Sequence, residues 1–560
     1  MWDPGGMQGT ERADRELSDA WAVCRVLVAE GSVYGFLAEH RLRLFPDELF
    51  EGLFPSGHSR RSVPGSVVAT VLVLQALEGL SDREAVQRLE CDLRWKAAAG
   101  LGLLERAFHP TVLVLWRQRL RGSDNPRLVF DAVRAVVDEC GALEGRSRRA
   151  LGSTLLEDAV ATRGAVTMIC AQMRRVRRLV PAAAAAAVSA HDYDAGRAKP
   201  DCDWADPGAR GDLVDALVDD ALATLDAVAG ADLDGEAADA VGLLGVVAGQ
   251  DVEEDPAVPG RWRVARAVAE GRVVSTVDPQ ARHARKSRSR RRDGYKAHIS
   301  AEPSTGLICA AELTAADVPD AEVAPRLLAA EPPADTADAD EAAAEPAEPA
   351  AAEPAEAAAA EPPEPAAAEP PEPREVLGDS AYASGPALEA YAAGGWETTV
   401  KPIERAPRLP GGFRRGDFAI DADAGAVTCP QGHTVELRPA GQRRRVARFA
   451  ARCAACPQRA RCTTSPAGRT ISVDAYENRR AANKERWADP AVRASYRQRR
   501  PLVERSIAWL TRGKARRVPY RGTAANHQWL TVRAAAVNLA RLTNLGIAHH
   551  HGAFTLHTPH

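Results

Sequence analysis

Residues 331–373 cannot build a packed core, and that fact shapes everything around them. These 43 residues are repeats of AAEP and PPEP holding 13 Asp or Glu and no Lys or Arg. Proline removes backbone donors and like charges repel, so the tract is predicted to be a disordered or partly extended acidic spacer. Upstream, Tyr295–Ala301 (YKAHISA) and Leu307–Leu313 (LICAAEL) predict a β-hairpin turning at Ser304–Gly306. Downstream, Val376-Leu377-Gly378 reads as a short buried strand, followed by a helix to Ala393 and a strand at Glu397–Pro402. Hairpin, strand, helix, strand predicts an α/β fold with a sheet of mixed direction. The tract is then an insertion within one domain.

Removing the tract changes the charge balance. The chain of 560 residues carries −4 overall, so without the tract's 13 carboxylates it carries +9. Residues 401–560 hold 30 Lys/Arg against 10 Asp/Glu, a local +20. Arginine-rich surfaces of that kind suit a polyanion, and this half of the chain points to nucleic acid. The polar first residues and the absence of any run of 18 apolar residues argue against a membrane partner. A cytoplasmic protein with reduced thiols is the expectation, so clustered cysteines suggest metal before disulfides.

Along the chain, a helix is expected from Leu17 to Leu37 and another over the apolar run Pro64–Leu80. Ser81-Asp82-Arg83-Glu84 is a capping box, and a third helix spans Thr111–Arg121. Short helices with basic ends fit a helix-turn-helix DNA reader and equally any helical bundle. Arg148–Thr154 reads as a strand end and Leu156–Val180 as a helix; residues 181–260 are alanine-rich and helical, as an inserted subdomain would be. Val273–Val277 is a short strand candidate, and Arg282–Arg292, with seven Lys/Arg in eleven residues, a solvated loop.

Three groups of residues carry potential chemistry. Asp379 falls at the carboxyl end of a strand, where α/β sheets place ligands, or it simply caps the next helix. Glu504 lies in the first turn of an amphipathic helix opened by Pro501, where the helix dipole alone would favour it. Cys429, Cys453, Cys456 and Cys462 are spaced C-x23-C-x2-C-x5-C. Four thiols with a CxxC half suit tetrahedral structural Zn²⁺, with His433 a substitute ligand; a metal-free reduced loop is the alternative.

Taken together, the ordered motifs STVDPQARH, DGYKAHIS, VLGDSAYASG, CAACPQRARCT and YRQRRPLVERSIAWL resemble those of bacterial insertion-sequence transposases of the DDE type. The resemblance spans nearly the whole chain outside the acidic tract. It implies a ribonuclease-H-like mixed sheet, a helical N-terminal DNA-binding domain, a helical insertion and a small cysteine-rich insert. The implied boundaries are an N-terminal helical segment 1–40, a helical DNA-binding domain 41–140, and a catalytic domain 141–330 and 374–545. Within the last lie the helical insertion 181–270 and the cysteine-rich insert 411–475; 546–560 is a disordered tail.

What the resemblance implies for function is metal-dependent DNA strand cleavage and strand transfer at transposon ends, with Mg²⁺ or Mn²⁺ held by three carboxylates. By resemblance Asp379 is the second of these and Glu504 the third. Tyr496 and Arg500, with Arg499, Arg505 and Lys296, are the implied DNA contacts, and a homodimer spanning two ends is the implied assembly. The first carboxylate belongs in a context like A-L-D-S-T, but the chain reads Ala150-Leu151-Gly152-Ser153-Thr154. Gly152 offers no ligand atom. Asp158 and Asp278 are the candidate substitutes; without one, the expectation is an impaired transposase or a non-enzymatic protein that occupies transposon ends.

Overall fold

The computed structural model describes residues 19–54, 62–159, 163–189, 191–194, 200–285, 291–330 and 374–556. The acidic spacer therefore lies outside the described residues. Helices α1 (Val33–Leu44), α2 (Gly65–Glu78), α3 (Asp82–Cys91) and α4 (Thr111–Gly122) dominate the N-terminal part. The Ser81 capping box at α3 is present, with the Glu84 side chain returning to the Ser81 backbone. The helix expected over Leu17–Leu37 is broken instead. It stops after a short helix at Ala20–Cys24 and a turn at Arg25–Leu27. Gly31 adopts a φ of +66° and Ser32 caps a fresh start, accepting from the Gly35 amide.

Helices α5 (Ala165–Leu179), α6 (Pro207–Ala227) and α7 (Gly235–Gly249) bury one another around Met173, Leu217 and Leu244, forming a core of their own. The expected helix Leu156–Val180 begins only at Ala165. Leu155, Leu156 and Glu157 are held in a strand by pairing with Lys296, Tyr295 and Gly294, which local sequence could not reveal.

The central sheet contains β1 (Arg148–Glu157), β2 (Arg282–Arg285), β3 (Arg291–Ala301), β4 (Ile308–Ala315), β5 (Glu375–Gly378) and β6 (Glu397–Val400). Its order is β2-β3-β1-β5-β6, with β4 also pairing β3. β1 runs antiparallel to β3 and parallel to β5, and β5 runs parallel to β6. A first strand between an antiparallel hairpin and two parallel strands is the mixed sheet expected of a ribonuclease-H-like fold. The expected loop Arg282–Arg292 has strands at both ends, tied by His283 and Asp293 at 2.6 Å. Val273–Val277 forms only an isolated bridge, Val273 to Arg282.

Helices α8 (Asp320–Ala329), α9 (Gly385–Ala393), α10 (Glu477–Ala488), α11 (Pro490–Arg499), α12 (Val503–Leu510) and α13 (Thr523–Asn544) complete the frame. Asn538 of α13 pairs with both backbone groups of Ile308 at 2.8 Å, so the helix protects the outer edge of β4. Through α13 the core of the N-terminal helices is continuous with the sheet: Leu72, Trp116, Leu539 and Ile299 share one apolar cluster. Among the described residues no single helix is long and apolar enough to cross a membrane.

A small unit follows β6. It contains a three-stranded sheet of β7 (Arg438–Pro439), β8 (Arg444–Arg448) and β9 (Thr470–Asp474), and a second three-stranded sheet over residues 419–436. Phe418, Val427, Phe449 and Val473 form its core.

Candidate active site

Gly378 ends β5, and the chain must turn sharply there. A Cβ at Gly378 would lie 3.0 Å from that of Tyr382, which is why a glycine precedes Asp379. The two readings of Asp379 divide between its oxygens. Oδ1 accepts the Ala381 amide at 2.9 Å, capping the turn Ser380–Tyr382. Oδ2 accepts from Arg500 Nη2 at 3.3 Å.

Arg500 also reaches Glu504. It sits in the tight turn Arg500–Leu502 between α11 and α12, four residues before Glu504, and its Nη1 donates to Glu504 Oε1 at 3.0 Å. The guanidinium is nearly buried, whereas the side chains of Asp379 and Glu504 are 48% and 62% exposed. Two carboxylates that stand 125 residues apart in sequence are thus joined by one cation. Tyr496, one helical turn before Arg500, packs edge-on to Trp487 at 4.8 Å. Burial pushes its hydroxyl pKa up; Arg500 opposes this, and Asp379 and Glu504 add to it. Tyr496, Arg500, Asp379 and Glu504 therefore share one surface.

Gly152 belongs to the same neighbourhood. Ala150 pairs with Leu377 across the parallel β1–β5 register, so two residues further Gly152 stands level with Asp379. What faces it is apolar. A Cβ built at Gly152 would meet Ile507 Cδ1 at 2.8 Å and Val503 Cγ2 at 3.1 Å. Val503 and Ile507 are the buried side of α12, and they close over the position where a side chain would stand.

The remaining candidates lie elsewhere. Asp158 follows β1 six residues beyond Gly152, about 20 Å along an extended strand. Asp278 is buried and committed: both its oxygens accept from the Tyr295 hydroxyl, at 2.7 and 2.8 Å, and Oδ2 accepts the Gly522 amide at 3.1 Å. Since Tyr295 pairs with Leu156, Asp278 serves the far end of β1. Lys296 donates to the Val318 carbonyl at 2.7 Å and pairs with Asp320 at 3.2 Å. Arg499 bonds Ser495 within α11, while Arg505 is exposed on α12.

Sequence reasoning missed the cluster behind β1. His298, opposite Ser153, is fully buried; its Nε2 meets Thr314 Oγ1 at 2.9 Å and its Nδ1 lies 3.5 Å from Asp320. Burial, with Lys296 and Arg326 adding to it, lowers its pKa to about 3, so the ring is neutral at pH 7. The alternation of YKAHISA was the available signal, since it puts His298 and Lys296 on one face.

In the small unit, Cys429, Cys453, Cys456 and Cys462 line one cavity together with His433. All four are free thiols. Burial pushes the Cys462 thiol up, and the other three sulfurs add to that rise against Arg469. As they stand, no three His, Cys, Asp or Glu among the described residues are arranged to hold a metal ion, there or at Asp379 and Glu504.

Two basic groups of the N-terminal helices turn inward. Arg117 of α4 is buried against Gln75 and Asp82, and Arg121 donates to Gln528 of α13 at 3.0 Å. Those contacts are the ones a helical bundle makes.

Comparison with known families agrees with this architecture. A transposase DDE domain model matches residues 428–543, from the first cysteine through Glu504 into α13. A transposase domain model, DUF772, matches residues 37–119, which cover helices α2 and α3 and most of α1 and α4. No curated protein and no solved structure matches the chain. The mixed sheet, the helical N-terminal region and the two matches, in the expected order, together support a DDE transposase of an insertion sequence.

Proposed function

We propose that this transposase binds the ends of its insertion sequence but is impaired in cutting them. The observation that carries the reading is the surroundings of residue 152. DDE chemistry in general uses divalent ions held by carboxylates, and such ions would supply Lewis-acid stabilisation of the reacting phosphate. The residues present do not fit that demand. Two carboxylates converge, half of their charge is already met by Arg500, and Val503 and Ile507 fill the space of the third. Asp158 and Asp278 do not reach this surface.

DNA holding asks less. It needs a basic face and fixed geometry, not a metal cluster. Tyr496 and Arg500 line the surface beside Asp379, Arg505 is exposed on the helix that carries Glu504, and the basic C-terminal half supplies the remaining attraction. In this reading 41–140 and α13 frame a catalytic-type domain that works as a homodimer across two ends. The cysteine unit is a structural element that closes on Zn²⁺ when its four sulfurs draw inward. Metal analysis of protein purified without chelator should then find about one zinc per chain, abolished by Cys456→Ser.

The test is a binding and cleavage assay on DNA carrying the element's own ends, with Mg²⁺ or Mn²⁺. Retained shifts of the end fragments without nicks or free 3′-hydroxyls are expected. Efficient cleavage by the chain as it stands would refute the reading.

A further inference from the structure

Many arginines elsewhere in the chain are spent on its own carboxylates. Arg134 pairs with Asp138 at 3.0 Å, Arg272 with Asp251 at 2.6 Å and Arg292 with Glu157 at 2.6 Å. Arg479 pairs with Glu389 at 2.8 Å and Arg486 with Glu397 at 2.7 Å, which bolts α10 to the sheet. The cysteine unit breaks that pattern. Residues 405–475 hold 13 arginines, no lysine and five Asp or Glu, a net +8. Only Arg414 and Arg415 have ion-pair partners among the described residues, Glu404 and Glu477. The others that bond at all use neutral acceptors: Arg445 the Ala422 carbonyl, Arg459 that of Ser465, Arg461 that of Gly411 and Arg469 that of Cys462. Such bonds aim a guanidinium without neutralising it.

One face concentrates the charge. Across the β7–β8–β9 sheet, Arg438 stands opposite Val446, Arg444 opposite Asp474 and Arg448 opposite Thr470. Side chains directly opposite in an antiparallel pair share a face. Arg438, Arg444 and Arg448 are all exposed on it, while Ala447, Ile471 and Val473 fill the other side. Arg444 is steadied by the Ser472 hydroxyl, and the one carboxylate on the face, Asp474, is taken by Arg480. Arg444 and Arg448 are about 13 Å apart along the strand. A duplex presents one charge per about 1.7 Å of axis, so a row that long meets several phosphates.

We propose that this face, with Arg438, Arg444 and Arg448 at its centre, tracks the phosphate backbone of duplex DNA. The inference rests on the DNA-holding reading and gives it a site away from Asp379 and Glu504. The cysteine unit then acts as a clamp that adds sequence-independent affinity.

The experiment measures DNA binding by the full chain from about 50 to 200 mM salt, comparing Arg444→Gln/Arg448→Gln with Arg178→Gln/Arg210→Gln. The control removes two exposed charges from α5 and α6. The plot of log affinity against log salt should flatten by about two for the face variant, and affinity at the lowest salt should fall on the order of tenfold. The control should keep the parent slope, and both variants should melt with the parent. Equal flattening in both would make the effect one of net charge and overturn the proposal, as would an unchanged face variant. If the parent itself fails to bind duplex DNA, the DNA-holding reading falls first and this proposal with it.

Discussion

Gly152→Asp introduces the carboxylate that the proposed reading finds missing, and the packing around Gly152 predicts that it should fail on its own. The new Cβ would stand 2.8 Å from Ile507 Cδ1 and 3.1 Å from Val503 Cγ2. Ile507 can swing its terminal methyl away, but the β-branched Val503 has little rotamer freedom in a helix. Overpacking of this kind costs about 1–3 kcal/mol. The carboxylate adds a second cost, because Val503 is fully buried and Ile507 nearly so. Burial raises a carboxyl pKa, and at about 1.4 kcal/mol per pH unit a rise of two units adds about 3 kcal/mol at neutral pH. The total is about 4–6 kcal/mol, a large part of a typical domain's stability.

The two costs separate by pH. With the folded pKa above the unfolded value of about 3.9, the charge cost vanishes below the unfolded value and grows as pH rises towards the folded one. Urea melts of Gly152→Asp, Gly152→Ala and parent at pH 4 and 7.5 should show a larger Asp penalty at pH 7.5. The Ala penalty should not change. Adding Val503→Ala should recover part of the loss, and only that double variant has room to present a carboxylate beside Asp379. A Gly152→Asp protein as stable as the parent at both pH values, and able to cleave DNA, would show that α12 yields freely and that the packing argument is wrong.

His298 gives an acid-sensitivity prediction. Its folded pKa of about 3 lies below the ordinary value of 6.5, so its stabilising contribution is complete above pH 6.5 and is lost as pH falls towards 3. Between pH 7.5 and 5 the loss is about 2 kcal/mol, and His298→Gln, which keeps a partner for Thr314, should abolish that pH dependence in denaturant melts. Deleting residues 331–373 removes 13 carboxylates and leaves the chain at +9. Non-specific duplex binding at low salt should tighten, and unchanged affinity would mean the spacer does not screen the basic face.

How far the sequence could be read depended on whether a contact was local. The Ser81 capping box, the hairpin around Ser304–Gly306 and the strand ending at Gly378 rest on neighbouring residues, and all three were legible. So was the four-residue spacing that brings Arg500 onto Glu504. The course of β1 was not, because the stretch from Leu156 looks helical alone and its first residues become strand only against β3. The spacing of Val503 and Ile507 declared a buried stripe on α12, but nothing in it named Gly152 as the target. Likewise Arg500 stood as a DNA contact by resemblance alone, while its bond to Asp379 spans 121 residues and belongs to tertiary structure.

On the proposed reading, that bond also makes Gly152 change more than a ligand count. With a carboxylate at 152, Arg500 would face three anions and leave two negative charges to attract a divalent ion. With Gly152 it faces two and leaves one, while the vacated space goes to Val503 and Ile507. Electrostatic attraction for the metal falls just as the apolar contacts that stabilise α12 against β1 improve. Substitutions that tighten α12 on β1 then stabilise the fold and oppose catalysis, whereas the arginine face on β7–β9 answers to neither. On the proposed reading, DNA holding can persist where cutting fails, because the two draw on different residues and different physical terms.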